Sequence, residues 1–206
     1  MSRPRAFRDN DVLTRAMLAF WQQGFEATGI KQLEQATGLR VSSLYNRFGS
    51  KEALYAEVLT HYLDKVVQWR IDRYLGMDDP LAGITAFFQS SYEYVDEQRP
   101  GMACLLSNSA LELGHRYPSL RPLIESGMQR VEQAFEETLE RARKQGQLAQ
   151  QTDTRLLARQ LALGLQGLLI STRVVADRQQ LEQQCRALLA LIPTEEPFHE
   201  KPAYPR

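Results

Sequence analysis

The sequence is short of the residues that metal centres and disulfide frameworks require. It has two cysteines and three histidines in 206 residues, and His61, His115 and His199 are too far apart for metal-ligand spacing. Cys104 and Cys185 suit a reducing cytoplasm and do not build a disulfide framework. No run of about eighteen apolar residues is present, so no membrane-spanning helix is predicted. We therefore expect a cytoplasmic protein with no metal and no cofactor.

Catalytic constellations are also missing. Cys104 and His115 fall on one predicted helix, where their separation corresponds to a rise of about 16 Å, too far for a nucleophile and its base. Asp78-Asp79 and Glu195-Glu196 belong to a turn and a tail, not to a pocket with paired carboxylates. No glycine-rich phosphate loop follows a strand, because no strand pattern is evident. An enzyme is therefore not predicted.

An excess of charge of one sign is lacking as well, because 25 Lys and Arg balance 25 Asp and Glu. The balance hides an asymmetry between the two ends of the chain. Residues 1–51 carry eight basic and four acidic side chains, a net +4, and the remaining residues carry seventeen and twenty-one, a net −4. A basic end is expected where a protein meets nucleic-acid phosphates, and a dimer would present roughly twice that charge to one duplex.

Residues 28–52 contain the pattern of a helix-turn-helix. Thr28 is a favourable N-cap for a first short helix, because its hydroxyl can accept from free backbone N–H groups. That helix has one apolar stripe, made by Ile30, Leu33 and Ala36. Gly38 follows, at a point where a left-handed residue ends a helix and turns the chain without steric cost.

A second short helix follows the turn. Leu44 and Phe48 give it a buried face, Gly49 ends it, and Ser50 caps a third helix. Its remaining side chains are left for the surface: Arg40, Ser42, Ser43, Asn46 and Arg47. Two short amphipathic helices around a glycine also occur in all-α proteins that bind no DNA. The combination of turn, polar face and aromatic closure favours a helix-turn-helix, whose second helix lies in the major groove.

At these residues the sequence resembles the TetR family of bacterial repressors. The matching motifs are Gly38-Leu39, Ser43-Leu44-Tyr45-Asn46-Arg47-Phe48 and Ser50-Lys51-Glu52-Ala53-Leu54, with Ala16-Met-Leu-Ala-Phe20 and Gly24-Phe25-Glu26-Ala27-Thr28 upstream. The resemblance is specific over residues 10–59 and extends loosely over the chain through its length and helical content. Two positions depart from the family: Glu34 replaces a frequent alanine, and Arg40 replaces the usual capping Ser or Thr.

The N-terminal part of a recognition helix reaches base edges, so the second helix supplies the candidates for sequence readout. These are Arg40, Val41, Ser42 and Ser43. The resemblance assigns phosphate contacts to Tyr45 and Lys51, with Thr28 joining through its hydroxyl or the helix N-terminus. Asn46 and Arg47 are further candidates, and the alternative is that one or both face a neighbouring helix. An arm along the DNA and a solvated tail are both open for Arg3, Arg5 and Arg8.

The rest of the chain is predicted to be helical. Periodicity and Gly or Pro breaks predict a first helix from Asp11 to about Gln23 and later helices at about 51–75, 80–96, 103–114, 119–145, 153–175 and 178–192. The result is an all-α fold of about nine helices. It divides into an N-terminal three-helix helix-turn-helix DNA-binding domain at 1–50, a larger helical ligand-binding and dimerisation domain at 51–192, and a loose tail at 193–206.

The last two predicted helices indicate a surface for assembly. The helix at 153–175 is apolar on nearly every side and requires cover on most faces. By resemblance to the family, this helix and the next pair with their copies in a homodimer, whereas an ordinary core helix is the alternative for either one. Gly164 and Gly167 permit close helix approach, at a propensity cost of about 1 kcal/mol each. The expected contacts are Leu161, Gly164, Leu165, Leu168, Leu181 and Leu188.

A site for a small-molecule effector is implied by the resemblance and has no motif of its own. The candidate lining residues are Trp69, Phe87, Phe88, Tyr92, Tyr94, Met128 and Cys104, and plain core is the alternative. Residues 101–112 resemble a segment of family members that respond to electrophiles through one cysteine. The Cys104 thiol would lie near a helix N-terminus, which favours the reactive thiolate, although free cysteines are commonly small buried hydrophobes.

The sequence therefore predicts a ligand-responsive DNA-binding regulator. In this interpretation a homodimer represses by occupying a palindromic operator and is released by a small molecule or an electrophile. The alternative from another class is a helical protein-interaction module whose helix-turn-helix is only structural. Salt-dependent, sequence-selective affinity for DNA separates the two.

Overall fold

The computed structural model describes residues 5–93, 95 and 102–194, without the side chains of residues 5–8. Nine helices lie in these ranges: α1 Arg5–Gln23, α2 Ile30–Thr37, α3 Val41–Phe48, α4 at 51–75, α5 Pro80–Gln89, α6 Leu105–Leu113, α7 Arg121–Lys144, α8 Thr154–Ser171 and α9 Arg178–Leu189. The same ranges hold no strand, and their one isolated β-bridge joins Leu148 to Thr194. The predicted all-α fold is confirmed. None of the described helices combines the length and the apolar character that crossing a bilayer requires.

Some predictions fall outside the described part of the chain. Arg3, Tyr94 and residues 195–206 lie there, as do the side chains of Arg5 and Arg8. The basic arm, the C-terminal tail and the effector contact by Tyr94 therefore stay predictions.

The first long helices differ in detail from their predicted form. α1 begins at Arg5 instead of Asp11, because residues 5–10 contain no glycine or proline that would stop a helix. α4 has the predicted extent but includes two π-helical insertions. Its segments are α-helical Lys51–Tyr62, π-helical Leu63–Val67, α-helical Gln68–Arg70 and π-helical Ile71–Leu75. The apolar pattern does not reveal them, because each insertion changes the register of a single turn.

α5 is shorter than predicted and ends at Gln89 instead of near residue 96. The Arg70 guanidinium donates to the Phe87 carbonyl at 2.8 Å, and the Ser90 hydroxyl donates to the same oxygen at 2.8 Å. Side chains thus satisfy a carbonyl that a longer helix would have bonded to its own backbone.

The described residues group into two compact units. The first unit holds the chain up to Gln68 together with Leu105–Gly127. Its centre is aromatic: the Tyr55 ring centroid lies 4.9 Å from that of Phe20 and 5.0 Å from that of Phe25, both edge-on. The buried faces of the short helices complete this core, with Leu33 from α2 and Leu44 and Phe48 from α3.

The second unit holds the described residues of 69–104 and of the chain from Met128 to Thr194. Phe87 and Phe88 of α5 are fully buried, with ring centroids 5.4 and 5.8 Å from that of Phe135 in α7. α8 and α9 add several buried leucines to this unit. One face of each helix therefore packs in the core, which was the alternative to a dimer contact.

Candidate nucleic-acid interface

α2 begins one residue later than the predicted cap implies. Gly29 occupies the N-cap position, and its N–H donates to the Gln32 side-chain oxygen at 2.6 Å. Thr28 is fully buried, and its hydroxyl donates to the Gly24 carbonyl at 2.5 Å. The prediction that Thr28 caps α2 is therefore wrong. Because this hydroxyl is committed inward, the predicted phosphate contact at Thr28 is left with the helix N-terminus as its route and stays a prediction.

The turn between α2 and α3 forms at Gly38 as the sequence predicts. Gly38 has φ +72°, and its N–H donates to the Glu34 carbonyl at 2.9 Å. This left-handed conformation is sterically free only for glycine. The turn sends the chain from α2 into α3 within three residues.

The N-terminus of α3 is capped from the preceding helix. Arg40 occupies the N-cap position without a capping bond from its own side chain within the described residues. The Glu34 carboxylate instead accepts the Val41 N–H at 3.3 Å. The two departures from the family pattern thus meet in space, because Glu34 supplies the acceptor that Arg40 lacks. The Arg40 side chain is exposed and free of a capping role.

α3 divides its side chains between a buried edge and an exposed edge. Leu44 and Phe48 are buried, whereas Tyr45 is 46% exposed and Val41 half-buried. The other exposed side chains on this helix and its cap are Arg40, Ser42, Ser43, Asn46 and Arg47. Asp9, Ser43, Asn46 and Arg47 line an open groove of about 620 Å³ beside the exposed edge.

Arg47 differs from the other polar residues of α3, because its guanidinium already has carboxylate partners. It donates to both oxygens of Glu57 at 3.2 and 3.3 Å, and it lies 3.5 Å from the Asp9 carboxylate. It also lies over the Phe48 ring, 4.7 Å from the centroid. In the protomer Arg47 thus joins α3 to α1 and α4, which is the alternative that the sequence left open, and a DNA contact for Arg47 stays a prediction.

Lys51 stands in the first turn of α4, just after the Ser50 cap, whose hydroxyl accepts the Ala53 N–H at 3.0 Å. Its ammonium lies 4.3 Å from the Phe25 ring centroid and donates to the Glu26 carbonyl at 3.5 Å. Burial lowers the pKa of Lys51, and the negative charges of Glu26 and Glu112 oppose that shift. The cation is thus held against the loop between α1 and α2.

One residue of this region carries no sequence signal. Glu112 of α6 accepts the Phe25 N–H at 2.9 Å and the Glu26 N–H at 2.7 Å. The partners are 87 and 86 positions apart in the chain. No periodicity or motif relates such distant residues, so only the tertiary structure reveals this contact.

The residues expected to form the dimer interface lie mostly inside the protomer. Leu161, Leu165, Leu168 and Leu181 are buried, so they have no surface left for a partner. Gly164 also faces inward, since a Cβ on it would lie 2.9 Å from the Leu188 side chain of α9. Gly164 and Leu188 thus pack α8 against α9 within one chain, and the burial of the four leucines is evidence against them as partner-facing residues.

A different set of residues, apolar except for one glutamine, forms a stripe on the outside of α8 and just beyond its end. This α8 outer face consists of Leu156, Gln160, Leu163, Gly167, Ile170 and Val174, at alternating spacings of four and three. Leu163 is 68% and Val174 84% exposed. At Gly167 a Cβ would meet no described atom within 4 Å beyond the helix's own backbone. The spacing is that of a helix–helix contact seam.

The effector candidates are dispersed through the second unit. Trp69 lies on the surface at 54% exposure, while Phe87 and Phe88 pack in the core. Met128 is half-buried, and Cys104 is buried immediately before α6. Trp69 is not among the residues that line the cavity described next, and its place in an effector site stays a prediction.

Tyr92 does line a cavity. A space of about 200 Å³ is bounded by Thr85, Gln89, Tyr92, Glu182, Cys185, Arg186, Leu189 and Ala190. The Tyr92 side chain is hydrogen-bonded to Cys185, and burial, followed by this contact, raises the pKa of the Tyr92 hydroxyl well above its usual value. The hydroxyl is therefore protonated and engaged with Cys185 at one side of the cavity.

These features define a class of protein. α2, the turn at Gly38 and α3 form a helix-turn-helix, and its second helix buries one edge and exposes a polar one. This motif lies within the basic part of the chain, residues 1–51. Such a helix enters the major groove in DNA-binding regulators. The chain is a DNA-binding transcriptional regulator.

Family models give the same answer in more detail. Residues 12–58 match the model described as bacterial regulatory proteins, tetR family, and residues 80–188 match the model described as tetracyclin repressor-like, C-terminal domain. The chain belongs to the TetR family.

Relatives of similar length support the assignment. The HTH-type transcriptional regulator YezE of Bacillus subtilis is 28% identical over 93% of this chain and 100% of its own length. The HTH-type transcriptional repressor ComR of Escherichia coli is 26% identical over 93% of this chain and 91% of its own. Among solved structures, a cysteine mutant of the TetR family regulator CifR, complexed with 26-bp double-strand operator DNA, has a TM-score of 0.81. It is 29% identical and covers 93% of this chain and 100% of its own.

Proposed function

We propose that this protein is a repressor that occupies a palindromic operator as a homodimer and leaves it when a small molecule binds. The observation that carries the proposal is the exposed polar edge of α3, opposite its buried Leu44 and Phe48. A helix held in this way presents side chains to a groove while its other edge stays in the core. Similarity to the repressor ComR and to the operator-bound CifR supports the same reading.

We assign sequence readout to the first residues of α3. The Arg40 guanidinium can donate to O6 and N7 of a guanine, and the Val41 side chain can contact a thymine methyl. Ser42 and Ser43 lie on the exposed edge beside them. The DNA-binding domain then corresponds to residues 1–50 and the regulatory domain to residues 51–192.

Phosphate contacts fall to Tyr45, Asn46 and Lys51 in this proposal. Tyr45 and Asn46 are exposed on α3, and the Lys51 ammonium stands at the start of α4. Hydrogen bonds to phosphates set the register of a protein on DNA, whereas base contacts set its sequence preference. Loss of these side chains should therefore weaken binding to all sequences alike.

The α8 outer face is the dimer contact in this proposal. It is an exposed apolar stripe on the helix that the family resemblance assigns to assembly, and Gly167 leaves room for a partner backbone to approach. A two-fold dimer places its two recognition helices symmetrically, so the matching operator is palindromic. Each protomer contributes the same residues to the contact.

The Tyr92–Cys185 cavity is the site that we propose for the effector. Its surface is mainly apolar, and its lining also brings the polar side chains of Thr85, Gln89, Tyr92, Glu182 and Arg186 to the cavity. Such a combination suits a small apolar molecule with one polar group. A thermal-shift screen of small apolar compounds tests this assignment, because Cys185→Phe fills the cavity and should abolish any shift that the wild-type protein gives.

Family membership also supports a location in the cytoplasm, where the DNA lies, and a role without catalysis. The test of the whole proposal is selection of random duplex DNA by the purified protein, sequenced at two salt concentrations. We expect an enriched palindrome. Arg40→Ala should lose the preference at one base pair of each half-site, and Tyr45→Ala should weaken binding to all sequences alike. If no sequence is enriched, the protein-interaction module becomes the better interpretation.

A further inference from the structure

Glu112 of α6 holds the loop between α1 and α2 through two backbone hydrogen bonds. Its Oε2 accepts the Phe25 N–H at 2.9 Å and its Oε1 accepts the Glu26 N–H at 2.7 Å. Hydrogen bonds to an ionised carboxylate are roughly twice as strong as bonds between neutral groups. Both oxygens are engaged by adjacent residues, so the carboxylate sets the direction of the loop as well as its position.

The loop is shaped to receive this carboxylate. Gly24 ends α1 in the left-handed region at φ +85°, and a Cβ on it would lie 3.1 Å from Glu112 Oε2. Phe25 is buried, with its ring centroid 5.0 Å from those of Tyr55 and Tyr117. A side chain larger than hydrogen at residue 24 would strain the backbone and crowd the carboxylate.

The same loop holds Lys51. The Lys51 ammonium lies over the Phe25 ring, 4.3 Å from its centroid, and 3.5 Å from the Glu26 carbonyl oxygen. Lys51 therefore contacts Phe25 and Glu26, the same two residues whose N–H groups donate to Glu112. A change in the Glu112 contact changes the platform on which the Lys51 ammonium rests.

α6 is also bonded to α4, the helix that carries Lys51. The Tyr55 and Ser109 hydroxyl oxygens are 2.7 Å apart in a buried hydrogen bond, and Ser109 also donates to the Leu105 carbonyl at 2.7 Å. α6 belongs to the compact unit that contains α1, α2 and α3, although it follows them by more than fifty residues in the chain.

We propose that Glu112 is a positioning residue for DNA binding. Its carboxylate on α6 orients the Phe25–Glu26 loop and, through it, the Lys51 ammonium toward a phosphate. The proposal rests on the proposed function of the protein as a DNA-binding repressor.

The direction in which Glu112→Ala changes the affinity for DNA distinguishes a positioning role from a general effect of charge. Removal of a carboxylate makes the protein more positive, which by itself strengthens binding to DNA. The positioning role predicts the opposite for Glu112→Ala. Glu125→Ala is the matched control, because this exposed carboxylate lies on α7 and pairs only with Arg121 among the contacts described.

The experiment measures the affinity for a palindromic duplex from the selection, or for a mixed-sequence 30-bp duplex, over a series of salt concentrations. We expect about fivefold weaker binding for Glu112→Ala and equal or tighter binding for Glu125→Ala. Lys51→Ala should make the slope of log K against log salt less steep by about 0.9 per protomer. Glu112→Ala should also make this slope less steep. In the Lys51→Ala protein, the Glu112→Ala substitution should have no further effect.

An unchanged salt slope in Glu112→Ala, or effects of the two substitutions that simply add, would overturn the proposal. Glu112→Gln provides the same test if the alanine variant does not fold, because the amide keeps one acceptor oxygen. It should bind DNA more weakly than the wild type, and wild-type affinity would also overturn the proposal. If the wild-type protein itself binds no duplex, the proposed function fails, and this outcome is distinct from a failure of the Glu112 role.

Discussion

The Glu34 carboxylate at the middle of α2 accepts the backbone N–H of Val41 at the start of α3. The two residues are seven positions apart, and the bond spans the turn of the helix-turn-helix. It satisfies one of the free N–H groups that every helix has at its first turn. The cap comes from α2 because the Arg40 guanidinium at the N-cap position has no acceptor, and the Arg40 side chain remains exposed.

The first prediction concerns this cap. Glu34→Ala should lower the free energy of unfolding by about 1 kcal/mol, the usual contribution of an N-cap acceptor. Adding Arg40→Ser should restore most of that stability, because serine caps α3 from the N-cap position itself. Urea unfolding of the single and double variants measures both effects. Gln35→Ala, an exposed change on the same helix, is the control, and a Glu34→Ala protein as stable as this control contradicts the prediction.

A second prediction separates two arginines of the same segment. Arg40→Ala should cost about 1–3 kcal/mol of discrimination at one base pair of the selected operator and leave unfolding unchanged. Arg47→Ala should instead destabilise the fold by roughly 0.5–1 kcal/mol, because it loses partly exposed ion pairs with Glu57 and Asp9. Its base preference should match the wild type. Selection with each variant and urea unfolding distinguish the roles, and the assignment of Arg47 is wrong if its operator sequence changes.

The third prediction concerns the α8 outer face. Leu163→Glu places a charge at the centre of the proposed contact and should convert the dimer to a monomer at micromolar concentration, with a loss of operator affinity. The fold should persist, because Leu163 is 68% exposed in the protomer. Analytical ultracentrifugation measures the change. Leu111→Glu is the control, since that residue is 75% exposed on α6. A Leu163→Glu protein that stays dimeric would place the contact elsewhere.

A fourth prediction concerns pH. His61 Nε2 lies 2.9 Å from the Thr14 hydroxyl oxygen, and burial, followed by the nearby Lys65, lowers the pKa of His61 below its usual value of 6.5. The unfolded chain then binds a proton more readily than the folded one, so stability is complete above about pH 6.5 and declines as the pH falls toward the folded-state pKa. Urea unfolding between pH 7.5 and 5 should show a smaller decline for His61→Gln. Equal declines in both proteins would mean that His61 contributes nothing to this dependence.

Most of the helices and the helix-turn-helix could be predicted from the pattern of neighbouring residues in the sequence. The Gly38 turn, the Leu44 and Phe48 spacing and the Ser50 cap are properties of neighbouring residues, so they are visible in the sequence. The predicted N-cap role of Thr28 was wrong and the partner of Arg47 was left open, because a hydroxyl or a guanidinium has several possible partners. The one that it takes depends on what folds beside it. For Arg47 the decisive carboxylates come from α1 and α4.

The dimer contacts illustrate the same limit in a different way. A helix that is apolar on nearly every side does not reveal which side meets its own chain and which remains outside. The structure buries Leu161, Leu165 and Leu168 within the protomer and leaves Leu156 and Leu163 exposed. That choice depends on where α9 packs, and the pattern of α8 contains no information about it.

The sequence by itself determined the all-α class, the helix-turn-helix and the family, because each follows from helical periodicity, glycine conformation and short motifs that act over a few residues. Only the tertiary structure decided that Glu34 caps α3, that Glu112 holds the Phe25–Glu26 loop and that α8 turns Leu163 outward. These contacts join residues that are distant in the chain or compete for several partners. Their outcome is set by the packing of whole helices, which local pattern does not contain.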